Sequence, residues 1–211
     1  QAQKLFLVLT FCGLAYPIYA SDLAKEQRWR EQVVDALLDG EELLLNDGKT
    51  DFFNILTEAD DPKPTAIIVL HGIGVHPDWG QVVQPLRVEL AAAGWTTLSL
   101  QLPILPNEAE EKDYLPLLSE AAPRIAAGIK YLLENGGKDV VVVAHSLGVT
   151  MTTHALANNA IEMKALVGIG MGPGNTRYLP KIKIPVLDLY GSDDQPDVIA
   201  SAAERAKAYI G

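Results

Sequence analysis

Residues 140 to 149 read VVVVAHSLGV. A β-branched run passes without a polar residue into Ala144-His145-Ser146-Leu147-Gly148, and an apolar helical pattern follows to Asn158. A strand that is apolar on both faces must be covered on both faces. That requires a mostly parallel sheet held between layers of helices.

The rest of the chain is consistent with this constraint. Ser21 or Asp22 can cap a helix running to Asp39, with Trp29, Val33 and Leu37 on one face and Gly40 as its stop. Glu42–Asn46 and Phe52–Leu56 flank the turn Asn46-Asp47-Gly48 and predict an antiparallel start. From there apolar strands alternate with amphipathic helices. Strands are predicted at Thr65–Leu70, Thr96–Leu100, Asp139–Ala144, Lys164–Ile169 and Pro185–Tyr190. Helices are predicted at Gln81–Ala93, Leu118–Glu134, Leu147–Asn158 and Pro196–Ile210. No composition break divides residues 21–211, so they read as a single α/β domain with helices on both faces of the sheet.

The segment at Ser146 has the layout of a nucleophile elbow: a strand, a tight turn carrying serine, and a helix. Residues two positions from the serine must be small, or side chains collide across the turn. The usual Gly-x-Ser-x-Gly is Ala-x-Ser-x-Gly here, with Ala144 the smallest departure. Such a turn lifts the hydroxyl above the strand ends, beside free helix N–H groups that favour developing negative charge. A serine that merely caps a helix is the competing reading. His145, next to Ser146 in sequence, points in a different direction and reads as a packing residue.

A second segment, Ile67 to Gly74 (IIVLHGIG), ends a strand in His-Gly and a glycine-containing loop. Together with the residue after the serine, such a loop can hold an oxyanion. That nominates the backbone N–H groups of Leu147 and Ile73. His71 reads as a structural tie for the loop. His76-Pro77-Asp78-Trp79 either lines the pocket or packs the next helix.

A third segment, Ile184 to Asp194 (IPVLDLYGSDD), ends a strand at Tyr190 and turns at Gly191 into two acids. Its Gly-x-x-Asp spacing selects Asp194 as a triad acid. Asp193 is the close rival, and Asp188 inside the strand stands further behind.

Together these segments resemble the α/β-hydrolase superfamily over about Thr65 to Ile210. Val69-Leu70-His71-Gly72, His76-Pro77-Asp78-Trp79 and Gly94 to Pro103 (GWTTLSLQLP) resemble, more narrowly, a bacterial family of exported α/β-hydrolase-like proteins of unassigned function. The resemblance implies an α/β-hydrolase fold and a nucleophile–acid–histidine order. It implies small-molecule or lipid-like acyl substrates, carboxylic esters first, and neither a metal nor an organic cofactor. The histidine should follow the acid, yet His71, His76, His145 and His154 all precede Asp194. The last strand and its histidine loop are therefore expected outside the chain as given. The other reading is a non-catalytic binding or scaffold protein of the cell envelope. Gly170 to Pro180 is too short for a lid domain. Pro106 to Tyr114 (PNEAEEKDY) reads as a solvated acidic loop that would disfavour anionic substrates if it bordered the pocket.

Among residues 1–20 Lys4 is the only charge, Leu5 to Leu14 is apolar, and Ala20 is small. This is the layout of a secretory signal peptide, cleaved after Ala20, and it points to a periplasmic or otherwise exported protein. If the segment stays uncleaved, it is the one contact with a membrane that the sequence offers. Lys plus Arg is 17 against 27 for Asp plus Glu, a net charge of −10, which argues against nucleic-acid partners. Cys12 is the single cysteine, so neither a disulfide framework nor a cysteine-based metal site can form.

Overall fold

The computed structural model describes residues 21–211. The expected leader, with Cys12, lies outside the described residues. The hairpin β1 (Glu41–Asn46) and β2 (Asp51–Thr57) opens the sheet. Then come β3 (Thr65–Leu70), β4 (Thr97–Leu100), β5 (Asp139–His145), β6 (Ala165–Ile169) and β7 (Val186–Leu189). The helices are α1 (Leu23–Ala36), α2 (Val83–Ala92), α3 (Leu118–Glu134), α4 (Leu147–Ala157) and α5 (Pro196–Ala208). The sheet order is β1-β2-β4-β3-β5-β6-β7. Both pairings of β2 are antiparallel and all others are parallel, as the apolar strands require.

β3 lies between β4 and β5, so the chain winds outward in both directions from this pair. Helices α2 and α4, which leave β3 and β5, cover opposite faces. Ile67, Val69 and Val143 pack with Val83, Leu86 and Leu90 of α2. Ile68, Leu70, Val142 and Ala144 pack with Ile125 and Ile129 of α3 and with Val149 and Met151 of α4. The strict alternation along each strand follows from the twofold side-chain period. Opposed winding opens a crevice at the carboxyl ends of β3 and β5, where sheets of this kind bind ligands.

Two sequence expectations are corrected. Helix α1 stops at Ala36, not at Asp39, and Leu37 is already extended. The buried Arg87 takes the Asp39 carbonyl with Nη1 at 2.8 Å, which holds that backbone out of the helix. The acidic loop is only partly solvated. Its Tyr114 is buried, with the hydroxyl accepting from Leu105 N–H at 3.0 Å, and it leads into a 3-10 turn over Glu111–Leu117. The strand β7 pairs with β6 alone among the described residues, leaving Leu187, Leu189 and Tyr190 about half exposed. No helix among the described residues is long and apolar enough to cross a membrane.

Three arginines are buried in the body, each fixing a junction. Arg87 holds Asp78 through Nε at 2.9 Å. Arg205 of α5 holds Asp188 of β7 through Nε at 2.8 Å. Arg124 of α3 bonds Glu26 of α1 at 2.9 Å and the Gln101 carbonyl at 3.2 Å, and sits 3.4 Å from Asp47 of the hairpin turn. Burial pushes the Glu26 carboxyl up, and the Arg124 charge opposes this. Arg124→Ala strands the Glu26 and Asp47 carboxylates and should cost about 3 kcal/mol of stability. Urea denaturation of the variant against the wild type measures the loss.

Candidate active site

At the carboxyl end of β5 the backbone of Ser146 adopts φ 52° and ψ −116°. A positive φ in a residue with a Cβ is strained, and the surroundings have to impose it. Here the Ser146 N–H is taken by Ile169 O at 2.9 Å, while Ser146 O accepts from Val149 N at 2.9 Å and so starts α4. The Ser146 side chain makes no capping bond, although it stands at the N-cap position. This removes the helix-capping reading of the serine. The N–H of Leu147 begins the helix and has no intrahelical acceptor.

The turn is possible because two glycines permit close approach. A Cβ on Gly148 would lie 2.6 Å from His71 O, and one on Gly72 would lie 2.8 Å from His145 Nδ1 and 3.2 Å from Ser146 Cβ. The α4 N-terminus and the loop after β3 are therefore pressed together. Beneath them Ala144 is fully buried. His71 locks the same loop from below: its Nε2 accepts from Leu102 N–H at 3.0 Å and its Nδ1 lies 2.8 Å from Gly72 O. That arrangement needs the neutral ring protonated on Nδ1, and burial lowers the His71 pKa to about 3.

Ser146, Leu147 and Ile73 line one cleft of about 200 Å³, together with His145, Thr150, Gly170, Asn175 and Asp194. Asp194 reaches it from the turn after β7. Its Oδ1 accepts from Gln195 N–H at 2.8 Å, and its Oδ2 would lie 3.7 Å from a Cβ on Gly170. Asp193 is exposed and makes no side-chain hydrogen bond among the described residues. Asp188 is held by Arg205 beneath the turn. The structure thus brings together Ser146, Leu147, Ile73 and Asp194 and leaves both rival acids out.

The remaining histidines are placed for packing. Trp79 tilts against the His145 ring at 5.7 Å, and burial keeps that imidazole's pKa down against the pull of Asp194. His76 accepts from Asp78 N–H at 3.2 Å and packs edge-on to Trp29. His154 packs edge-on to Tyr178. None of them hydrogen-bonds Ser146 among the described residues.

Several wall residues escaped the sequence reading. Asn175, fully buried, ties the wall to α4 by accepting from Thr153 Oγ1 at 2.7 Å and donating to Thr150 Oγ1 at 3.2 Å. The glycines of Gly170 to Gly174, directly after a strand, were the available signal; nothing local marks Asn175. Glu111 and Asp197 also face the cleft. A larger hollow of about 580 Å³ lies at the other end of the sheet, around Pro64, Ala66, Thr96 and Gly137 at the strand starts. Among the described residues no three His, Cys, Asp or Glu side chains converge to hold a metal ion.

Comparison with known proteins agrees with this architecture. A dienelactone hydrolase from Anabaena variabilis superposes with a TM-score of 0.64 at 22% identity, over 82% of each chain. An α/β serine hydrolase homologue from Coxiella burnetii gives 0.63 at 12% identity, over 83% of this chain and 85% of that one. A serine hydrolase without lid from Xanthomonas campestris gives 0.58 at 15% identity, over 77% of both. The chain has the α/β-hydrolase fold. Residues 17–116 match the model of a family described as a protein of unknown function, DUF3530. No curated protein matches by sequence.

Two measurements check this geometry. Replacing the strained residue by one that tolerates positive φ, Ser146→Gly, should raise stability by about 1 kcal/mol, the strain released less the added chain entropy. Chemical denaturation reads it. The depressed His71 pKa means that the unfolded chain binds a proton the folded chain does not. Stability from this group is complete above about pH 6.5 and is lost as pH falls toward about 3. The slope reaches at most about 1.4 kcal/mol per pH unit. His71→Gln should flatten it, as denaturation curves across that window will show.

Proposed function

We propose that this protein is a serine hydrolase acting on carboxylic esters or related acyl substrates. The observation that carries the reading is Ser146, held at φ 52° without a capping bond in the cleft it shares with Leu147, Ile73 and Asp194. The hydroxyl attacks the acyl carbonyl carbon, and its proton passes to a histidine base. The N–H groups of Leu147 and Ile73 hold the oxyanion that forms. Collapse breaks the bond to the leaving alcohol, which takes the proton back from the histidine. Water, activated by the same histidine, then cleaves the acyl-enzyme and restores Ser146. Asp194 orients the histidine and stabilises its charged form.

His71, His76, His145 and His154 are each engaged in packing or in a loop lock. The proposal therefore assigns the base to a histidine outside residues 1–211. The same observation supports a second reading, a binding or scaffold protein that keeps the fold without turnover. Export accompanies the first reading: residues 1–20 have a leader's layout, and the mature chain would start at Ser21.

A fluorophosphonate probe applied to the natural full-length protein decides between the two. Labelling that disappears in Ser146→Ala supports the hydrolase, and equal labelling of both proteins rejects it. With a short-chain aryl ester, Asp194→Asn should lower turnover by about 10⁴-fold, as expected when the orienting acid is lost, and far more than Asp193→Asn.

A further inference from the structure

The cleft around Ser146 has a charge as well as a shape. Three carboxylates face it: Glu111 from the 3-10 turn before α3, Asp194 from the turn after β7, and Asp197 from the first turn of α5. No lysine or arginine lines it among the described residues. His145, which does, is kept toward its neutral form by burial. Arg177 does not line it; its Nε donates to Gly174 O at 2.9 Å and its guanidinium lies over the Tyr178 ring. The other polar groups that face the cleft, Thr150, Asn175 and Gln195, are uncharged. The carboxylates come from two separate parts of the chain, Glu111 from one and Asp194 with Asp197 from the other, so the negative sign does not belong to a single loop. Asp194 and Asp197 also have local work at the N-terminus of α5, where Asp194 takes Gln195 N–H and Asp197 takes Val198 N–H at 3.0 Å. Glu111 makes no side-chain hydrogen bond among the described residues, and its charge is free to act on whatever enters.

Size sets the second limit. At about 200 Å³ the cleft is smaller than the roughly 300–1,000 Å³ of pockets that enclose drug-sized ligands, which suits a short acyl chain.

Resting on the serine-hydrolase reading, we propose that the Ser146 cleft accepts small acyl groups that are neutral or cationic and turns away those carrying a carboxylate, with Glu111 as the specificity-determining residue. A carboxylate entering this cleft meets like charge from Glu111 on one segment and from Asp194 and Asp197 on another, and its approach slows; a cation is drawn in. The walls carrying Glu111 and Asp197 are open to water, so the effect is screened and depends on salt.

The test compares kcat/KM of the natural full-length protein on three matched aryl esters: a butyrate, a hemisuccinate and a 4-aminobutyrate. At low salt the butyrate should exceed the hemisuccinate by about tenfold, and the gap should shrink at molar salt, where the Debye length falls to about 3 Å. The 4-aminobutyrate should match or exceed the butyrate. In Glu111→Gln the ratio of hemisuccinate to butyrate turnover should rise several-fold, and in Glu111→Lys further. Glu111 is exposed, so neither change threatens folding. If Ser146 is labelled by a neutral fluorophosphonate but the three esters react alike, or their ratio ignores both salt and residue 111, the charge-selection proposal is overturned and the hydrolase stands. If no ester is cleaved and Ser146 is not labelled, both are overturned together.

Discussion

The close approach of α4 to the end of β3 is the constraint on which the site depends. Gly148 passes so near the His71 carbonyl that a Cβ would sit at 2.6 Å, and Gly72 lies as tightly against His145 and Ser146. A strained serine survives only where its neighbours leave no alternative. Here its N–H is fixed on β6, its carbonyl starts a helix, and the glycines press the turn from both sides. The loop bearing Ile73 is held in turn by His71, whose ring bridges the ends of β3 and β4. One buried, neutral imidazole thereby sets the position of a candidate oxyanion donor without entering the cleft.

Two helix N-termini meet at this crevice, and the chain treats them differently. At the start of α5 the carboxylates of Asp194 and Asp197 accept from the N–H groups of Gln195 and Val198, although the N-cap Gln195 adds no side-chain bond. The start of α4 carries no side-chain cap, so its N–H groups and partial positive charge remain turned toward the cleft. Negative charge is thus concentrated on the walls and positive potential at the floor beside Ser146. On the proposed reading, that division favours an oxyanion beside Ser146 and disfavours a carboxylate near Glu111, Asp194 and Asp197.

Away from the site, stability is tied to three buried guanidinium groups. Arg87 joins the α1–β1 connection to the loop after β3 and Arg124 joins the hairpin turn to α1 and α3, both across long stretches of chain, while Arg205 ties α5 to the preceding strand β7. Planar, multidentate donors suit this task because one side chain satisfies several buried acceptors at once.

By itself the sequence determined the layering, because strands apolar on both faces permit only a covered parallel sheet, and the seven strands lie close to where their patterns put them. It also determined the elbow, since the strand, the serine and the small residues flanking it are contiguous. The choice among Asp188, Asp193 and Asp194 was only partly legible. Spacing ranked them, but the Arg205 pairing of Asp188 and the position of Asp194 over Gly170 arise from packing between separate elements, which spacing does not show. The end of α1 and the cleft walls were not legible at all. Arg87 draws the Asp39 carbonyl away from a helix that local propensity would continue, and Glu111, Asn175 and Asp197 converge on Ser146 from separate segments. Local patterns encode what neighbours in sequence must do, whereas a cleft is made where distant segments pack, so its shape and charge are decided only by the tertiary structure.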